Sequence, residues 1–236
     1  NSMVASLTLP IVGRRIVVTG TVEVLLGLGN VLFDFIAGQY IRISFPDPHF
    51  EDARSNGREF SIASSPNEKK HLMIATRISE SGFKKNIYEV PLGSLVTVDG
   101  PFGIFTLPRE PHSVVCIAGG IGITPFLSMA TFAAEEQLPN PITLLYANGS
   151  AESAAYADAL KELEKRNPNF RVQEKIGLLD EPFVLEHAKE RLAPDSLCMW
   201  YIAGPPGMVQ ACRHILLHNG VVENKLHIEE FSNYTD

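Results

Sequence analysis

The segment 119–122, with three glycines in four positions, is the strongest candidate for chemistry in this sequence. Before it, residues 113–118 form an apolar, β-branched run of the kind found in a strand buried on both faces. After it, Pro125 suits the first turn of a helix and Thr124 suits the N-cap position. Glycines let the backbone approach a ligand closely, and the N–H groups of a helix N-terminus attract anions. Strand, glycine turn and helix in this order predict a phosphate-binding site, although the signal alone has low specificity.

The segment Arg58–Pro66, with the sequence REFSIASSP, is a second candidate. A guanidinium fork at Arg58 is a natural ligand for a diphosphate, and the ring of Phe60 on the same face can lie against a flat heterocycle. Ser61 points to the other side of the pleat or lies at the rim of the strand. The alternative is a surface arginine and a core phenylalanine, and this segment alone favours that alternative.

A third candidate follows at Ser81. Apolar residues recur at helical spacing over 83–90, which predicts a short helix beginning near Gly82. The amides of its first turn and the Ser81 hydroxyl suit a phosphate, with Lys84 or Arg77 adding positive charge. A capped surface helix with solvated lysines explains the same residues equally well.

The composition excludes several classes of function. Hydrophobic residues make up 45% of the chain and charged residues 20%, as in an ordinary globular protein. The net charge is −7 and no basic run occurs, which argues against nucleic acid or an anionic membrane as the main partner. The three cysteines show no spacing typical of metal, iron–sulfur or disulfide sites. We therefore predict no metal site and a reducing, cytoplasmic setting.

A membrane span is the alternative for the uncharged stretch 113–134, which is long enough to cross a bilayer. Clustered glycines and Pro125 interrupt this stretch, and its composition fits a buried strand followed by a buried helix. We expect no membrane span.

The first half of the chain has the pattern of a small antiparallel barrel. Short β-rich runs alternate there with clusters of Gly, Pro, Asn and Asp. The predicted strands are 16–24, 31–36, 40–45, 59–64, 71–78 and 95–98. The loop 46–57 is predicted to be exposed, 99–103 to form a turn and 105–111 to be a linker.

The second half alternates strands with helices, which predicts βαβ units and a mostly parallel sheet. Ligands of such sheets lie outside the carboxyl ends of the strands, where the glycine turns at Gly119 and Gly204 are expected. The strand after the first turn ends at Asn148 and Ser150, whose side chains suit a ribose. No acidic residue holds the ribose there, and no arginine is present to pair with a 2′-phosphate.

Taken in order, these segments resemble the ferredoxin–NADP⁺ reductase superfamily over almost the whole chain, from Arg14 to Tyr234. The motifs are Gly38-Gln39-Tyr40, Arg58-x-Phe60-Ser61-x-x-Ser64, Gly100-Pro101-Phe102-Gly103, Gly119-Gly120-x-Gly122-x-Thr124-Pro125, Gly204-Pro205-Pro206-Gly207-Met208 and Glu229-Glu230-Phe231. Each motif alone is moderately specific, whereas the ordered set is strong.

The resemblance implies two domains. The first is a flavin-binding, antiparallel six-stranded Greek-key β-barrel over 4–108, and the second is an NAD(P)-binding α/β domain with a parallel sheet over 109–236. The implied flavin ligands are Tyr40, Arg58, Phe60, Ser61, Ser64, Thr76, Ser81 and Lys84, with Phe231 or Tyr234 covering the other face of the ring. The implied nicotinamide nucleotide ligands are Gly119, Gly120, Gly122, Thr124, Asn148, Ser150, Gly204, Pro205 and Met208. Ser61 and Thr124 are expected to face one another across the path of hydride transfer, as the catalytic pair.

Three positions depart from the family pattern. Phe60 stands where the family usually has tyrosine, which removes one hydrogen bond to the cofactor but keeps the ring. Ala203 stands where many members have cysteine beside the nicotinamide, which affects rate and geometry but not the class of reaction. The segment 148–150 lacks the arginine that members often carry, so NADH is at least as well supported as NADPH.

The function implied is a flavin-dependent NAD(P)H oxidoreductase. Its cofactor is FAD, with FMN less favoured, and its electrons go singly to a separate acceptor. Ferredoxin, flavodoxin, a haem protein, an oxygenase component and a ferric chelate all remain open as acceptors, although a chain of charge −7 offers no obvious basic patch to an acidic partner. The competing hypothesis is a non-turnover docking or electron-transfer subunit of a larger redox complex. The lack of an iron–sulfur segment in this sequence weakens that hypothesis.

Overall fold

The computed structural model describes residues 5–52 and 56–231, whose strands form two sheets. The first sheet is antiparallel and has six strands in the order β4-β3-β6-β1-β2-β5. Its strands are β1 Ala5–Val18, β2 Thr21–Gly27, β3 Tyr40–Ser44, β4 Gly57–Ser61, β5 His71–Arg77 and β6 Leu95–Phe102, with helix α1 Gly82–Glu89 between the last two.

This sheet closes into a barrel. Directly after β4, the Ala63 N–H donates to the carbonyl of Met73 in β5 at 2.7 Å, so the two edge strands meet. In β3, buried Ile41 and Ile43 alternate with exposed Arg42, as the pleat of a half-buried strand requires. The inward side chains form one apolar core, which Phe83 and Ile87 of α1 close at one end of the barrel.

The second sheet is parallel and has five strands in the order β11-β10-β7-β8-β9. Its strands are β7 Ser113–Gly119, β8 Ile142–Asn148, β9 Phe170–Ile176, β10 Cys198–Gly204 and β11 Leu226–Glu230. Its helices are α2 Ile123–Glu135, α3 Ala157–Arg166, α4 Glu181–Ala188 and α5 Pro206–His218. Separate apolar clusters cover the two faces of the sheet, so β7 and β8 are buried on both sides. The chain leaves β7 toward β8 and later returns to its other side with β10, which makes the edge between β7 and β10 the switch point of the sheet.

The predicted fold class is therefore confirmed, and several local predictions are wrong. The predicted strand 16–24 is a hairpin, because Gly20 takes a φ of +78° and reverses the chain between β1 and β2. The predicted strand 31–36 is irregular, since the Gln39 side chain accepts the Ile36 N–H at 2.8 Å in place of a neighbouring strand. The predicted turn at 99–103 is wrong as well, because β6 continues through Phe102.

The start of α2 also differs from the prediction. A 3₁₀ turn, Gly120–Gly122, precedes the helix, so Gly122 takes the cap position predicted for Thr124. Thr124 lies inside the first turn, where its hydroxyl donates to the Ile121 carbonyl at 3.1 Å. None of the helices among residues 5–52 and 56–231 is long and apolar enough to cross a bilayer.

Direct hydrogen bonds join the barrel to the second sheet and its helices. The Ser128 hydroxyl of α2 donates to the Ser64 carbonyl at 2.7 Å. The Tyr156 hydroxyl, just before α3, donates at 2.9 Å to Glu23 of β2, which the guanidinium of Arg15 also binds through both carboxylate oxygens. The relative position of the two units is thus set by packed, hydrogen-bonded groups.

The glycine turn after β7 packs against the end of β10 more closely than any side chain would permit. A Cβ at Gly122 would lie 2.2 Å from the carbonyl oxygen of Ala203. A Cβ at Gly119 would lie 2.2 Å from the sulfur of Met208, at the start of α5. Gly122 is therefore needed for the close approach of two chain segments at the switch point, whereas the neighbour at Gly119 is a flexible side chain that can shift.

We expect Gly122→Ala to lower the free energy of unfolding by about 1–3 kcal/mol, because the added methyl group would meet backbone atoms that cannot rotate away. Gly149→Ala is the matched control, since a Cβ at Gly149 has no neighbour within 4 Å. We expect that change to stay within about 0.5 kcal/mol. Urea unfolding measures both variants, and equal losses would show that the contact at Gly122 is not the cause.

Candidate functional site

A cavity of about 370 Å³ lies where the barrel meets the carboxyl edge of the parallel sheet. The barrel contributes residues from β3, β4, β5 and α1, and the second unit contributes the glycine turn, α2 and the end of β11. The lining residues are Tyr40, Arg42, Gly57, Arg58, Glu59, Phe60, Ser61, Ala75, Thr76, Arg77, Lys84, Ile121, Thr124, Glu229, Glu230 and Phe231. Nine of the residues predicted from the sequence line this cavity: Tyr40, Arg58, Phe60, Ser61, Thr76, Arg77, Lys84, Thr124 and Phe231.

Aromatic rings form one part of the barrel wall. Phe60 is buried and stacks on Phe83 of α1, with ring centroids 5.9 Å apart and planes 23° apart. Tyr40 packs against Phe102 and against the backbone at Gly103, which leaves its ring half-exposed at the cavity. Burial, and to a smaller extent the negative charges of nearby glutamates, raise the pKa of Tyr40, so its hydroxyl keeps its proton and can donate a hydrogen bond.

Arg58 is buried beside these rings, and its charge is already paired. Its Nη2 lies 2.8 Å from Oδ1 of Asp52, and its Nη1 donates to the Gly57 carbonyl at 3.0 Å. The other oxygen of Asp52 accepts the Phe83 N–H at 2.9 Å, at the N-terminus of α1. A carboxylate of this chain thus binds two of the groups that the sequence predicts for a phosphate.

Most of the described residues in the loop before β4 are exposed, as the sequence predicts, but one part of this loop is bonded to α1. Asn86 of α1 is fully buried, and its Oδ1 accepts the N–H groups of His49 and Phe50 at 2.8 and 3.0 Å. Its Nδ2 donates to the Phe50 carbonyl at 2.7 Å. These bonds hold residues 49–52 against the helix, although the His49 side chain is exposed as expected.

The remaining polar residues of the barrel take two kinds of position. Ser81 caps α1 by accepting the Lys84 N–H at 3.3 Å, and the buried side chains of Lys84 and Thr76 line the cavity. Ser64 lies outside the cavity, where its hydroxyl accepts the Met73 N–H at 3.1 Å. Its role as a flavin ligand stays a prediction, and its observed contacts are those of a residue that joins strands.

The opposite wall comes from the second unit. Ser61 and Thr124, predicted to face one another, both line the cavity. Phe231 closes the site after β11 and is held by its N–H, which donates to the Gly204 carbonyl at 3.0 Å. Tyr234, the alternative cover for the flavin ring, lies outside the described residues.

The other predicted nicotinamide ligands do not line the cavity. Gly119, Gly120, Gly122, Gly204, Pro205 and Met208 lie together beside it at the carboxyl ends of β7 and β10. Asn148 and Ser150 lie one strand further along, at the end of β8. The Asn148 side-chain oxygen is buried and has no hydrogen-bond partner among the described residues. The Ser150 N–H donates to the Ser153 hydroxyl at 3.1 Å. Their binding roles stay predictions.

Glu229 is a functional candidate that belongs to a motif seen in the sequence but was given no role there. Its Oε1 lies 3.4 Å from the Ser61 hydroxyl, which donates to it, and its Oε2 is buried without a hydrogen-bond partner in the described structure. Burial raises the pKa of Glu229 to about 7, while the Ser61 hydrogen bond lowers it and the charge of Glu59 raises it further. A carboxyl group that titrates near neutral pH beside a serine hydroxyl can hold and release a proton. The motif Glu229-Glu230-Phe231 is visible in the sequence, but only the fold shows that the first glutamate is desolvated.

These residues suit a large, flat, anionic cofactor. Tyr40 and Phe60 supply rings, Arg42, Arg77 and Lys84 supply positive charge, and the orphaned oxygen of Glu229 requires a polar partner. Among residues 5–52 and 56–231, no group of three or more His, Cys, Asp or Glu side chains is arranged to hold a metal ion.

Comparison with known proteins agrees with this geometry. The family described as "Oxidoreductase NAD-binding domain" matches residues 116–214. The chain is 28% identical over 207 residues to the anthranilate 1,2-dioxygenase electron transfer component of Acinetobacter baylyi, which covers 84% of this chain and 58% of that protein. It is 26% identical over 208 residues to the ferredoxin–NAD(P)⁺ reductase component of the naphthalene 1,2-dioxygenase system of Pseudomonas putida, with 84% and 61% covered.

Among solved structures, ferredoxin–NADP⁺ reductase from Plasmodium falciparum superposes with a TM-score of 0.81 at 20% identity, over 96% of each chain. This likeness concerns the fold. The chain spans 58% and 61% of the length of the two curated relatives named above.

The buried carboxyl of Glu229 makes stability depend on pH. Its pKa lies near 7 in the folded protein and near 4.5 for an ordinary glutamate, so the folded protein retains a proton that the unfolded chain has lost. This contribution to stability is complete below pH 4.5 and disappears as the pH rises through 7. Glu229→Gln cannot ionise at this position. The free energy of unfolding of the variant minus that of the wild type should therefore increase by about 2–3 kcal/mol from pH 4.5 to pH 8.

Urea unfolding at the two pH values measures this gain. Glu230→Gln is the control, because Glu230 is exposed and bonded to the Gln210 amide at 2.8 Å. A gain of the same size in the control would contradict the assignment to Glu229.

Proposed function

We propose that this chain, which belongs to the ferredoxin–NADP⁺ reductase superfamily, is a flavin-dependent oxidoreductase that uses NADH or NADPH and delivers electrons singly to a separate acceptor. One observation carries the proposal. The aromatic and cationic wall of the barrel and the glycine turn at the switch point of the sheet share one cavity. A flavin and a nicotinamide nucleotide bound by these walls would meet there.

The barrel would hold the flavin, as FAD in preference to FMN. Tyr40 and Phe60 would contact the ring system of the flavin, and Phe231 would cover the opposite face of that ring system. Thr76 and Lys84 would bind polar groups of the flavin beyond its rings. When bound, the flavin supplies the chemistry, because it accepts two electrons as hydride and releases them one at a time. The protein contributes orientation and electrostatics.

The carboxyl edge of the sheet would hold the nicotinamide nucleotide. Gly119 and Gly204 lie beside one another there, with the backbone N of Gly119 3.3 Å from a Cβ built at Gly204. The Met208 side chain fills the space next to both glycines, and its flexible thioether can move aside for a ligand. Thr124 and Ile121 would then position the nicotinamide end against the flavin.

Ser61 and Glu229 would hold and release a proton where the flavin and the nicotinamide meet. The Ser61 hydroxyl donates to Glu229, whose pKa near 7 leaves it able to carry or release a proton under neutral conditions. Ser61 would contact the reacting part of the flavin, and Glu229 would set the protonation and orientation of its hydroxyl.

The acceptor is proposed as a separate redox partner, which includes ferredoxin, flavodoxin, a haem protein, an oxygenase component and a ferric chelate. A non-turnover docking or electron-transfer subunit is the second candidate. It is favoured by the first curated relative, which is described as an electron transfer component and is longer than this chain. We propose the division into a flavin-binding unit over 4–108 and an NAD(P)-binding unit over 109–236. We also propose a cytoplasmic location, because Cys116, Cys198 and Cys212 are buried free thiols.

The decisive experiment is to add FAD or FMN to the purified chain and then NADH or NADPH under anaerobic conditions. The visible absorbance of the bound flavin should bleach, and an artificial one-electron acceptor should then be reduced with steady turnover. Flavin reduction without turnover would favour the second candidate, the non-turnover docking or electron-transfer subunit. A chain that binds neither FAD nor FMN would refute the proposed function.

The residues at the end of β8 lead to a prediction about the choice between NADH and NADPH. Ser150 stands where an arginine would pair with the 2′-phosphate of NADPH, and Lys175 of the next strand is bonded to Asp180 at 2.8 Å. Ser150→Arg should raise the ratio of kcat/KM for NADPH over NADH by about tenfold, since a charge-assisted contact is gained. Ala151→Arg adds the same charge one residue on, and an equal change in the ratio would indicate a long-range effect of charge instead of a contact at 150.

A further inference from the structure

We infer that Asp52 determines how strongly this site binds the phosphates of a flavin, because its carboxylate already binds the groups that would hold them. The inference rests on the proposed function. It concerns a residue whose type and position gave no signal in the sequence, within a loop predicted to be exposed.

Two contacts of Asp52 are those of a bound anion. Its Oδ1 lies 2.8 Å from Nη2 of Arg58, and its Oδ2 accepts the Phe83 N–H at 2.9 Å in the first turn of α1. Guanidinium groups and helix N-termini are also the usual ligands of phosphate. The side chains of Asp52 and Arg58 are only 5% and 9% exposed, so the pair is shielded from water.

The carboxylate is held in this place by the backbone of its own loop. Asn86 binds the loop through the N–H groups of His49 and Phe50 and through the Phe50 carbonyl. The Glu51 carbonyl lies against the helix start so closely that a Cβ at Gly82 would be 1.9 Å from it. Asp52 is therefore anchored over the N-terminus of α1.

A phosphate at this position would compete with Asp52 for the same donors and would be repelled by its charge. It must either displace the carboxylate, together with the anchored loop, or bind beside it with weaker help from Arg58. The ring system and its aromatic contacts then provide most of the affinity. The phosphate of FMN should therefore add little to the affinity of riboflavin, the preference for FAD would come from contacts of its adenosine half, and a bound flavin should exchange with flavin in solution.

The alternative to competition is that Asp52 orients Arg58 toward a phosphate and so strengthens its binding. The two roles predict changes of opposite sign when the carboxylate is removed. If Asp52 competes, Asp52→Asn strengthens the binding of phosphorylated flavins, and if it orients Arg58, the same substitution weakens it.

The test is to measure dissociation constants for riboflavin, FMN and FAD by fluorescence titration of the wild type, Asp52→Asn and Asp47→Asn. Asp47 is an exposed residue of the same loop, so the control makes the same change of charge away from Arg58. We expect Asp52→Asn to lower the dissociation constants for FMN and FAD by about tenfold or more. The value for riboflavin, which has no phosphate, and all three values for Asp47→Asn should change by less than about twofold.

Asp52→Ser gives a second variant in case the amide disturbs folding, because it removes the charge with a smaller polar side chain. Unchanged or weaker binding of FMN and FAD in a folded variant would overturn the inference, as would an equal gain for riboflavin. In an Arg58→Ala background the gain should largely disappear, because the competing contact is then absent.

Inorganic pyrophosphate separates this result from the proposed function. It should raise the melting temperature of Asp52→Asn more than that of the wild type, whether or not a flavin binds. A pyrophosphate effect without flavin binding would support the role of Asp52 and reject the flavin proposal, whereas flavin binding with no dependence on Asp52 would do the reverse.

Discussion

The close backbone contact between the glycine turn and the end of β10 is the constraint on which the site depends. Because Gly122 has no side chain, the start of α2 lies against the Ala203 carbonyl, and this places Ile121 and Thr124 on the cavity wall. The same strand end positions β11, since Ala203 is paired with Glu229 and the next carbonyl accepts the Phe231 N–H. One tight contact thus orders both segments that the parallel sheet contributes to the site.

The two walls of the cavity differ in how their charges are held. In the barrel, the positive charge of Arg58 is matched by a buried carboxylate, which limits the cost of taking a guanidinium out of water. At the end of β11, Glu229 forms no ion pair among residues 5–52 and 56–231, and burial favours its neutral form. The site therefore has one ion pair in the barrel wall and one carboxyl group that favours its protonated form where the two walls meet. This separation suits a site of hydride transfer at which a nearby group must hold or release a proton.

The contact between the two units matters as much as either unit alone. Ser128 binds the Ser64 carbonyl, and Tyr156 binds Glu23, which is paired across the barrel sheet with Ala75 in the cavity wall. Hydride transfer requires the two reacting rings to be held in a defined geometry. Hydrogen bonds between buried or partly buried groups on both sides hold the two walls in such a geometry, and a protein acceptor would have to approach without disturbing them.

By itself, the sequence determined the fold class and the alternation of strands and helices in the second half, because periodicity and glycine placement are local signals. The resemblance to a known family, carried by ordered motifs, implied most of the predicted residues of the barrel wall. It misplaced the hairpin at Gly20, the irregular run before Gln39 and the cap of α2, where apolar composition concealed turns that the backbone forms. Only the tertiary structure decided the environment of Asp52 and Glu229. Both are acidic residues that a sequence assigns to the surface, and their burial arises from segments distant in the chain. The glycine turn was recognisable as a ligand-binding element, but its need for glycine at position 122 follows from a carbonyl 81 residues away, at Ala203.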